Sequence, residues 1–156
     1  RQQVATELYL AAQSGRAGRI VAAASDAGAD RATGSAGDDA LYGDEGNDLL
    51  HGGDGDDFLS GGDGRNVLWG DAGNDVLDLT TGWSDAHGGA DYDTVVLNGA
   101  VDEWQIIDRG MVQTSPRGTM EHLYELTHTA GDDAGTLYHA YDVEQLSFGD
   151  GSVFYL

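Results

Sequence analysis

The 156-residue sequence predicts an all-β fold built around a stack of short parallel strands, and three observations predict it. Glycine recurs every nine residues at Gly34, Gly43, Gly52, Gly61 and Gly70 and returns in frame at Gly88. Leu41, Leu50, Leu59, Leu68 and Leu77 recur with the same period. From residue 97 onward the period gives way to the alternation of ordinary strands. A nonapeptide period marks stacked parallel β structure, in which each unit supplies one tight turn and one short strand. The chain divides accordingly into an N-terminal cap and linker (1–33), a repeat block (34–96) and a β-rich C-terminal flank (97–156).

In chain order, residues 4–12 (VATELYLAA) place Val4, Leu8, Ala11 and Ala12 on one helical face, with Gly15 as a stop. This predicts a short helix covering the open end of the stack, since solenoids need caps. Residues 25–33 (SDAGADRAT) fall in the repeat frame with Gly28 and Asp30 but lack the apolar position 8, so Asp30 is a secondary candidate ligand. The units proper are GSAGDDALY, GDEGNDLLH, GGDGDDFLS, GGDGRNVLW and GDAGNDVLD, then a degenerate LTTGWSDAH and a closing GGADYDTVV. Six residues that reverse the chain need positive φ angles, so the glycines at positions 1 and 4 are expected there. Glycine is also small enough to let one turn approach the next. The last three residues of each unit form a strand, with position 8 facing inward and positions 7 and 9 outward. Ala86 and Val95 continue the inward leucine column. His51 and His87, at position 9, face outward with no assigned role.

Charge sets the chemistry. The formal net charge is −21, and residues 34–96 hold fifteen acidic side chains against one basic residue, Arg65. Such self-repulsion opposes a compact state, excludes nucleic acid as a partner and favours cations. No cysteine is present, so neither disulfides nor thiolate metal sites contribute. No segment approaches the length of a transmembrane run, and the N-terminus lacks a signal-peptide pattern. Opening at Arg1 without a methionine, the chain reads as a piece of a larger protein. Gly/Asp-rich sequence also suits a flexible acidic linker, but a linker has no reason to place an aliphatic residue at every ninth position. Carboxylates and backbone carbonyls are the hard oxygen donors that Ca²⁺ takes in sets of six to eight.

The units resemble the RTX (repeats-in-toxin) nonapeptide G-G-x-G-x-D-x-U-x. The resemblance implies a right-handed parallel β-roll in which two units make one 18-residue turn. It also implies Ca²⁺ between stacked turns, held by position-6 side chains and by carbonyls from earlier turn positions. At 18 residues the side-chain candidates separate into an unbroken ladder, Asp39, Asp57, Asp75 and Asp93, and a decaying one, Asp48, Asn66 and Ser84. The candidate carbonyls belong to Gly34, Ala36, Gly43, Glu45, Gly52, Asp54, Gly61, Asp63, Gly70 and Ala72. About four to five calcium ions are expected, three of them on the unbroken edge.

In the flank, Trp104 to Ile107, His122 to Thr127, Thr136 to Tyr141 and Leu146 to Tyr155 read as strands. Turn signals lie at Asp108-Arg109-Gly110, Ser115-Pro116-Arg117-Gly118, Gly131-Asp132-Asp133 and Gly149-Asp150-Gly151. The run YDVEQLSFGDGSVFYL (141–156) resembles the segment that follows RTX blocks, through Val143, Glu144, Leu146, Phe148, Asp150 and Gly151. That resemblance implies a cap that promotes calcium-dependent folding, and a C-terminal type I secretion signal to which the ending Val153-Phe154-Tyr155-Leu156 is suited. No catalytic constellation stands out. His122 and His128, six residues apart on one strand, are separated by about 20 Å and cannot share a metal. The sequence thus reads as a non-enzymatic calcium-binding module of a secreted or cell-surface protein, with the type I secretion machinery as its partner during export. The alternative is a Ca²⁺-dependent polysaccharide-binding or adhesion module using Arg65, Arg109 and Arg117.

Overall fold

The computed structural model describes residues 7–8, 21–23, 27–116, 118–132 and 134–156. Its strands are β1 (Glu7–Leu8), β2 (Val21–Ala23), β3 (Arg31–Thr33), β4 (Ala40–Tyr42), β5 (Leu49–Asp54), β6 (Phe58–Ser60), β7 (Arg65–Ala72), β8 (Val76–Asp78), β9 (Trp83–Ala90), β10 (Thr94–Leu97), β11 (Trp104–Gln113), β12 (Met120–His128), β13 (Leu137–Tyr141), β14 (Gln145–Phe148) and β15 (Val153–Tyr155). They form two sheets, ordered β1-β3-β5-β7-β9-β13-β12-β11 and β15-β14-β10-β8-β6-β4-β2. The alternation between sheets follows from the nine-residue unit. Each turn carries the chain across, a short strand follows, three residues long in β4, β6 and β8 and extended into the next turn in β5, β7 and β9, and the next unit returns. Parallel neighbours ordinarily need a long crossover; here the opposite sheet is the crossover.

Register confirms the 18-residue return. Leu41 pairs with Leu59, Leu59 with Leu77 and Leu77 with Val95, while in the other sheet Leu50 pairs with Leu68 and Leu68 with Ala86. All seven side chains are fully buried. The core is therefore a double column, one residue per unit from each sheet, each leucine contributing about 1.5–3 kcal/mol by leaving water.

The flank is less separate than its sequence suggests. β13 adds to β9 in parallel with Ala140 opposite Ala86, and β14 adds to β10 in parallel with Leu146 opposite Val95. Ala140 and Leu146, both fully buried, prolong the two core columns. The roll thus takes a further step after residue 136. Residues 98–136 are an excursion inserted where a turn would stand, dominated by the antiparallel β11–β12 pair, whose second strand lies against β13. β15 runs antiparallel to β14 at the other sheet's edge.

Two expectations are corrected. The turn predicted at Asp108-Arg109-Gly110 is a bulge inside β11, where the register shifts and Gly110 takes φ +69°; the extra residue is absorbed without reversing the strand. The helix predicted over 4–12 is contradicted at the two residues of it that are described, since Glu7 and Leu8 form β1 and pair in parallel with Arg31 and Ala32. The open edge of β3 offers unpaired N–H and C=O groups, and a strand satisfies them where a helix would not. The rest of that predicted helix lies outside the described residues, as do Arg117 and Asp133 in two of the predicted turns.

Candidate metal centre

Position 6 ends each turn and begins the descent into a strand. Asp39, Asp57, Asp75 and Asp93 stand just before β4, β6, β8 and β10, along one edge of the roll; along the other, Asp30 and Asp48 stand just before β3 and β5, while Asn66 and Ser84 are the second residues of β7 and β9. All eight are buried, at 3% exposure or less. On the first edge Asp57, Asp75 and Asp93 each give one oxygen to the backbone of the preceding turn, whereas Asp39 Oδ2 accepts the Ser35 N–H within its own turn. Asp57 Oδ1 accepts the Asp39 N–H at 2.7 Å, Asp75 Oδ1 accepts that of Asp57 at 2.8 Å and Asp93 Oδ1 accepts that of Asp75 at 2.9 Å. The second oxygens of Asp57, Asp75 and Asp93 are buried with no hydrogen-bond partner. A buried carboxylate oxygen without a donor is costly unless a cation faces it.

The position-1 glycines shape the space that those oxygens face. Positive φ is not their reason: left-handed backbone falls at position 4, as in Gly37 and Gly55, and at position 2, as in Gly53 and Asp71, but not at Gly34, Gly43, Gly52, Gly61, Gly70 or Gly88. Position 1 is glycine because oxygens converge there. A Cβ on Gly52 would stand 2.3 Å from Asp57 Oδ2 and 2.7 Å from the Gly70 carbonyl oxygen; on Gly70 it would stand 2.2 Å from Asp75 Oδ2 and 2.5 Å from the Gly88 carbonyl. Gly34 meets the Gly52 carbonyl and Asp39 in the same way. The carbonyls at position 3 are engaged differently: those of Asp54, Ala72 and Asp63 accept the N–H of Gly37, Gly55 and Gly46. Ala36 and Glu45 bridge to Asp54 and Asp63 in parallel.

Among the described residues no three acidic, histidine or cysteine side chains converge on one point. A cation in this ladder would be held by one or two carboxylates completed with backbone carbonyls. Such an all-oxygen donor set fits Ca²⁺ and does not fit the softer transition metals. The electrostatics agree. Burial pushes Asp57 and Asp93 up to about 7 and Asp75 up to about 6; the backbone N–H each accepts pulls downward, and neighbouring carboxylates add to the rise.

The opposite edge begins alike and then changes character. The Asp30 N–H donates to Asp48 Oδ1 at 2.8 Å, so Asp30 stands in the ladder, and Ala32 behind it is buried despite its size. Asn66 Oδ1 accepts the Asp48 N–H at 2.9 Å, which turns Nδ2 toward Gly61 and onto the Gly62 carbonyl. A donor thus points where Asp57 and Asp75 point an oxygen. One turn on, Leu79 replaces the position-1 glycine and is buried in the core with Leu97 and Phe148, which pair across β10 and β14. The oxygen cradle has become an apolar column.

Two features are not evident from the sequence. Position 5 forms an outer ladder: Asp38 Oδ1 accepts the Asp56 N–H, Asp56 Oδ1 accepts that of Asn74, and Asn74 Oδ1 accepts that of Tyr92. The recurrence of Asp or Asn at position 5 was the signal. Position 9 forms a stack of His51, Trp69, His87 and Tyr141, with successive centroids 5.8, 3.7 and 4.3 Å apart. His87 is buried there against Glu121, 2.5 Å away, and desolvation holds its pKa down. The flank histidines take separate partners: His122 with Asp108, His139 with Asp85, and His128 stacked on Trp104.

Residues 25–59, 51–82 and 60–95 match the family model described as the RTX calcium-binding nonapeptide repeat (4 copies). No curated protein matches the chain.

Proposed function

From the premise that residues 25–95 are RTX calcium-binding nonapeptide repeats, we propose that the chain is a folding switch for a larger secreted or cell-surface protein: unfolded during type I export and folded by Ca²⁺ outside. The observation that carries this reading is the row of buried, partnerless oxygens on Asp57, Asp75 and Asp93. The residues that would hold the ions are Asp39, Asp57, Asp75 and Asp93 with the carbonyls of Gly52, Gly70 and Gly88, and, on the other edge, Asp30 and Asp48 with the Gly61 carbonyl. Calcium supplies charge neutralisation between turns that otherwise repel. Extracellular calcium modules bind with Kd of about 10⁻⁴–10⁻³ M, and calcium at ten times Kd adds about 1.4 kcal/mol per site. Several sites convert a chain that does not fold into one that does, and folding at the exit opposes backsliding. The reading assigns no catalysis; His51, His87, His122 and His139 each face a carboxylate and His128 stacks on Trp104. Titration calorimetry tests it. Binding with a midpoint near 10⁻⁴–10⁻³ M is expected, and no heat up to about 10 mM Ca²⁺ would remove the reading.

A second reading, glycan binding, is favoured by one cleft. Arg65 lies 5.5 Å over the ring of Trp83, which is 49% exposed, beside the Asp85–His139 pair. Arg109 is committed to Glu125, and Arg117 lies outside the described residues. A glycan array in Ca²⁺ would show binding lost in Trp83→Ala; no bound glycan would dismiss this second role.

A further inference from the structure

The turn between β13 and β14 completes the acidic edge with residues that belong to no repeat. Tyr141 pairs with His87 and Gln145 with Thr94, so Asp142 takes the place of a position-1 glycine and Glu144 that of a position-6 aspartate. Six turn residues are cut to three, and the longer side chain of glutamate spans the contraction. Glu144 Oε2 accepts the Asp93 N–H at 2.7 Å, the same bond that Asp93 Oδ1 makes with Asp75. A Cβ on Gly88 would meet the Asp142 carbonyl oxygen at 2.1 Å and Asp93 Oδ2 at 2.5 Å, the arrangement seen at Gly52 and Gly70. Asp93 is fully buried, and this Oδ2 has no hydrogen-bond partner.

We propose that Asp93, the Asp142 carbonyl and Glu144 form an additional Ca²⁺ site that fastens the C-terminal flank to the roll. The site rests on the reading of the acidic ladder as a calcium ladder and extends it past the last repeat. Its consequence is that docking of β14 on β10 depends on calcium as directly as the stacking of the repeats does. The opposite edge has no counterpart, because Leu79, Leu97 and Phe148 fill it.

The test compares the full chain with Glu144→Gln and Glu144→Ala. Glutamine keeps an acceptor for the Asp93 N–H but turns an N–H₂ toward the site, as Asn66 does. Equilibrium dialysis with Ca²⁺ should count one ion fewer in both variants. Hydrogen exchange should show β14 amides still exchanging fast at calcium levels that protect β6 and β8 fully. If Glu144→Ala unfolds the flank altogether, the count and exchange in Glu144→Gln decide. A Glu144→Gln chain with the wild-type ion count and wild-type β14 protection would overturn the added site alone. A wild-type chain that binds no calcium would overturn both this site and the reading beneath it.

Discussion

Asp57 carries the account at the scale of single residues. One oxygen is fixed by the Asp39 N–H and the other faces the crowded space beside Gly52. Asp57→Ala therefore disturbs two gaps of the ladder and should raise the calcium midpoint of folding about tenfold, the equivalent of about 1.4 kcal/mol. Asn66→Ala should shift it much less, since Asn66 already directs its amide nitrogen toward the gap. Asn66→Asp should lower the midpoint by restoring an oxygen. Equal midpoints for Asp57→Ala and Asn66→Ala in a calcium titration would contradict the assignment of edges. Gly52→Ala should be as damaging as Asp57→Ala, because its Cβ would meet Asp57 Oδ2 and the Gly70 carbonyl oxygen. The position-6 aspartates were legible in the sequence because side chain and period coincide there. The reason for the position-1 glycines was not, because crowding by oxygens from a turn 18 residues away is invisible in a linear pattern that equally suits positive φ.

Among the elements, the three-residue strands β4, β6 and β8 were legible to the residue, whereas β5, β7 and β9 run on into the following turn, where parallel pairing of the turn backbone lengthens them. A nine-residue unit sets aside three residues for its strand, and the inward one must be apolar. Leu59→Ala, in the middle of its column, should cost about 2–5 kcal/mol in saturating calcium, read as a lowered denaturant midpoint. The flank was legible as strands but not as a continuation of the roll, since β13 and β14 reach their places without the glycines that marked every earlier turn. The inserted β11–β12 pair hid the return, and its bulge at Gly110 imitated a turn. Because Ala140 and Leu146 prolong both core columns, deleting residues 97–156 exposes the ends of both. The truncated chain should need more calcium to fold and should fold less cooperatively; an unchanged calcium response would show that the flank is no folding partner.

Protons and calcium compete over the molecule as a whole. In the compact chain with no cation bound, burial pushes Asp57 and Asp93 up to about 7 and Asp75 up to about 6, above the ordinary 3.8. A raised value means that the compact chain binds protons more tightly than the unfolded one. Its contribution to stability is full below about 4 and is lost as pH rises through 6 to 7. In EGTA, then, β content should increase as pH falls from about 7.5 to about 4.5, whereas in calcium acid should weaken folding by displacing the ion. Circular dichroism across that range checks both signs, and a calcium-free chain indifferent to pH would contradict them. The decisive experiment is circular dichroism at neutral pH, in EGTA and then with calcium added into the millimolar range. A calcium-driven fold gives a disordered spectrum in EGTA and a cooperative rise of β signal with calcium; a full β spectrum persisting in EGTA would rule out calcium as the folding switch.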